Sequence, residues 1–260
     1  MKTRAAFASL ASLAFLLGCV FLSAHPALSQ EASVLPKPLP DDELPTLEDV
    51  AGLWYSDFGY MDLEVKGDEI HGTYSCCDGT LTGKLNVARL ELEWKDPIYG
   101  EGWVYLYWQS GGRRLKGTFG KVEDFGASGQ WNAVRIPEFE PSEPPTRFRV
   151  EATQPRFGEL GGTVLLDLSG EKIRGELRGH YRLEAQEKPF LYEMFNVLTG
   201  RREGDGLVLT WMDPVKLRRG EIHLEPAEGG GWKGIWRPHF TLEGEEPFRL
   251  EPAEPEPAEP

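Results

Sequence analysis

Basic residues are in short supply: 28 Lys and Arg stand against 42 Asp and Glu, for a net charge of −14. Phosphate binding runs on Lys and Arg neutralisation, so this balance argues against a nucleic-acid partner. It argues equally against adhesion to anionic lipid by charge alone. Helical periodicity is nearly absent between residues 49 and 252. The chain carries no nucleophile elbow, no Gly-rich phosphate loop and no His/Cys zinc signature. His71, His180, His223 and His239 are scattered, and none has metal-ligand spacing with another. Carboxylates are plentiful, but strand alternation sends Asp62, Glu64, Glu91 and Glu93 outward. A glycosidase-type pair inside a barrel therefore has no obvious candidates. Neither an enzyme nor a resident metal or cofactor is expected.

What is present begins with an export signal. Lys2 and Arg4 head an apolar run from Ala5 to Leu22, followed by small residues. Two ways out are open. Ala27-Leu28-Ser29 suits a leader peptidase cutting before Gln30, whereas "LLGC" would make Cys19 the acylated first residue of a lipoprotein. Loss of residues 1–29 removes both of those basic residues and leaves the body more acidic still. The expected address is periplasmic or extracellular, with membrane contact only through a lipid anchor. Residues 30–48 are rich in Pro and acid and read as a tether. Residues 253–260 continue an acidic Pro-rich tail that cannot bury anything.

Between these ends lie short apolar/polar alternations broken by Gly-rich turns, the pattern of an all-β sandwich or barrel. The pattern repeats. "GYMDLEVKGDEIHGTY" (59–74) overlays "GTVLLDLSGEKIRGEL" (162–177), and "LTGKLNVARLELEWKDP" (81–97) overlays "LTGRREGDGLVLTWMDP" (198–214). "LKGTF" (115–119) matches "WKGIW" (232–236). Leu-Thr-Gly and Trp-x-Asp-Pro in the same order indicate duplication. The expected architecture is two tandem, homologous, eight-stranded antiparallel meander units, barrel-like and packed together, over 49–137 and 147–252. In the first unit the alternation places strands near 52–56, 59–66, 69–76, 80–87, 89–95, 102–109, 114–120 and 128–135.

"AGLWYS" opens the first unit with Gly52 and Trp54, and Arg135 follows "GQWNAV" near its end. Together they resemble the calycins (lipocalins, fatty-acid-binding proteins and avidins). There a Gly-x-Trp starts the barrel and a basic side chain of the last strand packs over the Trp. The resemblance implies a barrel architecture. It suggests a small apolar or aromatic ligand held in a barrel mouth by Trp54, Tyr74, Trp94 and Trp131, or by Trp211 and Trp236 in the second unit. A filled core is the other reading of these residues, since small barrels are commonly filled.

Two local features stand apart. Cys76 and Cys77 run up to Asp78-Gly79, the preferred dipeptide of a two-residue hairpin turn. On a regular strand neighbouring side chains point to opposite faces, so the two thiols are not expected to grip one metal ion. Three readings stay open: no specific role, a vicinal disulfide that shapes the loop, or redox and soft-metal chemistry. The duplication offset changes by 14 residues at this point, so the second unit carries the longer hairpin "RGHYRLEAQEKPFLYEMFNVLTG" where the first has its cysteines. These tips are expected to form a binding rim. The second feature is "WVYLYW" (103–108), apolar on both faces, with Trp103, Tyr105 and Tyr107 opposite Val104 and Leu106. The counterpart "EIHLE" (221–225) has Glu221, His223 and Glu225 outside. Either the second unit or a loop buries the aromatic stripe, or it is a platform for an envelope protein or glycan, extended by Tyr99 and Trp108.

Overall fold

The computed structural model describes residues 40, 43–109, 111–122, 126–154, 158–183, 190–238 and 246–253. Cys19, the rest of the segment read as an export signal, most of the stretch read as a tether, His239 and the acidic tail beyond residue 253 lie outside the described residues. The first unit contains β1 (Gly52–Ser56), β2 (Gly59–Lys66), β3 (Glu69–Tyr74), β4 (Gly79–Asn86), β5 (Arg89–Asp96), β6 (Gly100–Trp108), β7 (Arg114–Lys121) and β8 (Gly129–Arg135). Each strand pairs antiparallel with the next, and β8 returns to β1, giving a closed barrel. The second unit repeats the order with β9 (Thr146–Gln154), β10 (Gly158–Asp167), β11 (Lys172–Leu183), β12 (Phe190–Glu203), β13 (Gly206–Met212), β14 (Arg219–Pro226), β15 (Trp232–Pro238) and β16 (Glu246–Pro252). There β16 closes on β9. Closure leaves no strand edge open to another chain.

Period-two patterning does the sorting. Met61, Leu63, Leu90, Leu92, Val104 and Leu106 face inward and are buried, while Asp62, Glu64 and Glu93 face solvent. Each buried Leu contributes about 1.5–3 kcal/mol relative to an exposed one. One apolar cluster fills each barrel. Ahead of β1, where the stretch that reads as tether joins the first unit, Leu47–Val50 form one helical turn, α1. Thr46 and Asp49 cap it reciprocally, and Val50 is fully buried. The Val50 carbonyl accepts a 2.9 Å hydrogen bond from Trp54 Nε1. Arg135 donates to the Ala51 carbonyl at 2.9 Å and also to that of Asp49, and its guanidinium lies 4.5 Å over the Trp54 ring.

The duplication holds to the level of register. Leu63 faces Gly72 across β2–β3 as Leu166 faces Gly175 across β10–β11. Gly83–Leu92 and Gly200–Leu209 correspond, as do Trp94–Gly102 and Trp211–Gly220. A Cβ on Gly83 would lie 2.0 Å from the Glu91 carbonyl oxygen, and one on Gly200 would lie 2.2 Å from that of Val208. Both glycines permit the same close strand approach. The Asp-Pro pair recurs because it builds the same turn. Asp96 Oδ1 accepts the N–H groups of Ile98 (2.8 Å) and Tyr99 (2.6 Å), and Asp213 Oδ1 those of Val215 and Lys216 (both 2.9 Å).

One inner pair is exchanged between the copies. Tyr74 faces Gly79 in the first barrel, and a Cβ on Gly79 would fall 1.9 Å from the tyrosine ring. At the matching place of the second barrel Leu177 faces Asn196, which is 1% exposed. A large side chain on one strand with none on the other becomes two of middle size. The space is conserved while its owners change.

The longer hairpin of the second unit packs against the first. Phe195 of β12 joins Tyr55, Val134 and Val215 in a small apolar cluster between the barrels, its ring 5.9 Å from that of Tyr55. Tyr60 Oη donates to the Met194 carbonyl at 3.4 Å, and Arg114 donates to the Pro214 carbonyl at 2.9 Å. Where β12 meets the first barrel the hairpin is covered, while the tip expected to form a binding rim, residues 184–189, lies outside the described residues. Glu193, Met194 and Phe195 of this hairpin serve the packing of the two units.

Candidate functional site

The six mouth residues all lie inside. Trp54, Tyr74, Trp94 and Trp131 are 0–4% exposed, and Trp211 and Trp236 are 4% and 2% exposed. Their rings fill the space between them. Tyr74 stands 5.1 Å from Trp131, Trp54 stands 5.9 Å from Trp108, and Trp211 stands 5.0 Å from Trp236. Trp108 belongs to this core at 7% exposure, not to the outer stripe. Phe58, in the β1–β2 turn, folds over the mouth with its ring 4.4 Å from Trp131 and 5.1 Å from Phe119. Sequence reading missed this plug, because a lone aromatic in a turn carries no periodicity. Tyr74 Oη donates to Asp96 at 2.8 Å, and burial first, then that bond, holds the phenol well above its ordinary range. The indole nitrogens of Trp131 and Trp236 are buried without an acceptor among the described residues.

The cysteines are not at a strand end. Cys76–Asp78 form a 3-10 turn between β3 and β4, with Cys77 at φ 68° and Asp78 at φ 52°. Asp78-Gly79 therefore does not make the two-residue turn. Gly79 lies in β4 with extended backbone, because the Tyr74 ring occupies the place of its side chain. The thiols do not point to opposite faces either, as their Sγ atoms are 2.9 Å apart. Left-handed backbone at the second cysteine swings its side chain toward the first. The turn is braced on two sides. Ser75 and Cys76 donate backbone N–H groups to the carbonyls of Tyr60 (2.8 Å) and Phe58 (3.1 Å), and Ser75 Oγ is hydrogen-bonded to the Glu193 carboxylate of β12. The two variable hairpins of the duplication thus meet each other.

The aromatic stripe stays on the outer face of the first barrel, on β6, whereas the second unit is met by residues of β1, β2 and β8 and by Arg114 at the start of β7. Tyr105 is 36% exposed, and Trp103 and Tyr107 are half-buried. Trp103 and Tyr105 are stacked, with centroids 4.9 Å apart and planes 29° apart. Trp103 lies flat because its partner on β7 is Gly120, where a Cβ would come within 2.4 Å of the indole. Arg89, opposite Tyr107 on β5, holds its guanidinium 5.1 Å from the Tyr105 centroid and 5.9 Å from that of Tyr107. Arg89 is itself fixed by Glu91, which also accepts from Asn86 at 2.7 Å. Those two contacts, Arg89 first, lower the Glu91 carboxyl below its ordinary range. The guanidinium thus lies against the rings of Tyr105 and Tyr107, and Tyr105 in turn stacks on Trp103.

A groove of about 510 Å³ runs along one side of this platform, lined by Glu69, Thr82, Lys84, Glu93, Trp103 and Tyr105. On the other side Thr118 and Lys116 of β7 stand opposite Tyr105 and Tyr107. A larger depression of about 1710 Å³ crosses the second barrel. Of its lining, Arg149 pairs with Glu151 at 3.7 Å and with the neighbouring Glu251 at 2.7 Å. At the place of the stripe that barrel has Glu221 and His223, themselves 3.0 Å apart. Among the described residues no group of three His, Cys, Asp or Glu side chains is placed to hold a metal ion. Compared with known proteins, the chain matches no family model, no curated protein and no solved structure.

Proposed function

We propose that this chain is an exported, noncovalent recognition module of the cell envelope that binds a glycan on the outer face of its first barrel. The observation that carries the reading is the stacked, braced and solvent-facing pair Trp103–Tyr105. A pyranose ring offers an apolar C–H face to flat aromatics and hydroxyl groups at its edge. Glu93, Thr82, Lys84 and Thr118 ring the platform with acceptors and donors for those hydroxyls. The stripe occurs in one copy only, as expected of a function gained on a duplicated scaffold. Export by cleavage after Ser29 or by acylation at Cys19 would place the module where such glycans are. The barrels read as calycin-like architecture in tandem, in keeping with Trp54 and the Arg135 packed over it.

A small apolar ligand inside a barrel is the second reading, and the unmet indole N–H groups of Trp131 and Trp236 favour it. The rings that fill each interior weigh against it. Titration calorimetry with a soluble β-linked N-acetylhexosamine oligosaccharide separates the two. Trp103→Ala and Tyr105→Ala should each weaken binding by about 2 kcal/mol, roughly 30-fold in Kd, with thermal stability little changed. Binding that survives both substitutions, or no binding by the unsubstituted chain, would refute the glycan platform.

A further inference from the structure

We propose that Cys76 and Cys77 join in a vicinal disulfide that closes a small ring in the turn at the mouth of the first barrel. The sulfurs already face each other at 2.9 Å. The φ that lies within such a ring, that of Cys77, is left-handed and turns its side chain toward Cys76. Two consecutive non-glycine residues, Cys77 and Asp78, hold left-handed φ values of 68° and 52°. Each such residue costs about 1 kcal/mol or more unless its surroundings impose the conformation. Here the surroundings impose it through the Ser75 and Cys76 N–H bonds to Tyr60 and Phe58, the Ser75 hydroxyl on Glu193, and the Tyr74 ring over Gly79. A strand would send these side chains apart, whereas this turn brings them together. This inference stands independently of the glycan reading.

The oxidant required is a small-molecule disulfide. One cysteine, as thiolate, attacks a sulfur of the oxidant, whose S–S bond breaks and releases one thiolate. The second cysteine then attacks the cysteine sulfur of the mixed disulfide, and the second thiolate leaves. The two cysteines give up two electrons and two protons, which end on two small-molecule thiols. Burial pushes both thiols upward from their ordinary pKa, so little thiolate is present at neutral pH and the first attack is slow. The second attack needs no search. The ring then fixes the turn whose hydrogen bonds hold Phe58 over the barrel mouth and Glu193 against the first unit.

The test incubates the folded full chain with glutathione disulfide, alkylates it with iodoacetamide and digests it with trypsin without reduction. The peptide 67–84, bounded by Lys66 and Lys84, holds both cysteines. It is expected about 2 Da below the dithiol mass, with no alkyl group and no glutathione. In Cys77→Ser the remaining thiol, lacking its partner, should retain a glutathione adduct. A wild-type peptide with two alkyl groups, or with a persistent adduct on either cysteine, would overturn the proposal. So would a Cys77→Ser chain that takes up no glutathione, since the oxidant would then not reach the turn.

Discussion

Exchanging Tyr74 and Gly79 for their counterparts in the second barrel tests whether the two copies share one packing solution. Gly79→Asn alone drives a Cβ to 1.9 Å from the Tyr74 ring. The ring must leave, and its 2.8 Å bond to Asp96 leaves with it. Overpacking and a lost hydrogen bond to a carboxylate together cost about 4 kcal/mol. Tyr74→Leu alone empties ring volume beneath Gly79 and strips Asp96 of a donor, for about 3 kcal/mol. The double substitution rebuilds the Leu177–Asn196 arrangement, so the amide enters the space the ring vacated. Its total cost should stay near 3 kcal/mol, which leaves a favourable coupling of about 4 kcal/mol against the two single costs. Urea unfolding of the three variants, followed by tryptophan fluorescence, gives the cycle. A Gly79→Asn chain that fails to fold while the double variant folds carries the same sign. Additive costs, within about 0.5 kcal/mol, would refute the shared space.

Two further outcomes follow from the packing. The Asp167 carboxyl, held at about 2 by the Ser169 hydroxyl and by the N–H groups of Ser142 and Ser169, titrates below its unfolded value. Its contribution is therefore complete above the ordinary carboxylate range and fades as pH falls from about 4 toward 2. Asp167→Asn should flatten that acid limb in urea midpoints taken between about pH 5 and pH 2, and an unchanged limb contradicts it. Phe195→Ala removes the ring at the centre of the contact between the barrels, at a cost of about 3–5 kcal/mol. Calorimetry should then resolve two melting transitions, and a variant that melts like the parent would show that Phe195 does not join the units.

Much of the architecture was legible because closed antiparallel barrels write themselves in period two. The strand starts at 52, 59, 69, 89 and 114 coincide with the alternation, and the repeated Trp-x-Asp-Pro marks a turn built twice from the same hydrogen bonds. Reading failed where side chains from distant strands decide the local backbone. Asp78-Gly79 looks like a hairpin turn by itself, yet the Tyr74 ring claims the second position for a strand. Trp108 reads as an extension of the stripe, but it faces inward with Val104 and Leu106. The contact between barrels left a trace that alternation alone could not assign. In "YEMFNV" (192–197) no residue is exposed, which a strand shows when both of its faces are covered. The aromatic platform was visible as a break in pattern, whereas its brace of Arg89, Glu91 and Asn86 was not, since it depends on how β4, β5 and β6 align.

The most direct measurement watches the indole N–H resonances of the eight tryptophans as a β-linked N-acetylhexosamine oligosaccharide is added. Trp103 alone faces solvent on the platform, so its signal is expected to move while those of Trp54, Trp94, Trp131, Trp211 and Trp236 stay in place. Movement of Trp131 or Trp236 with Trp103 unmoved would put the ligand inside a barrel and contradict the outer-face site.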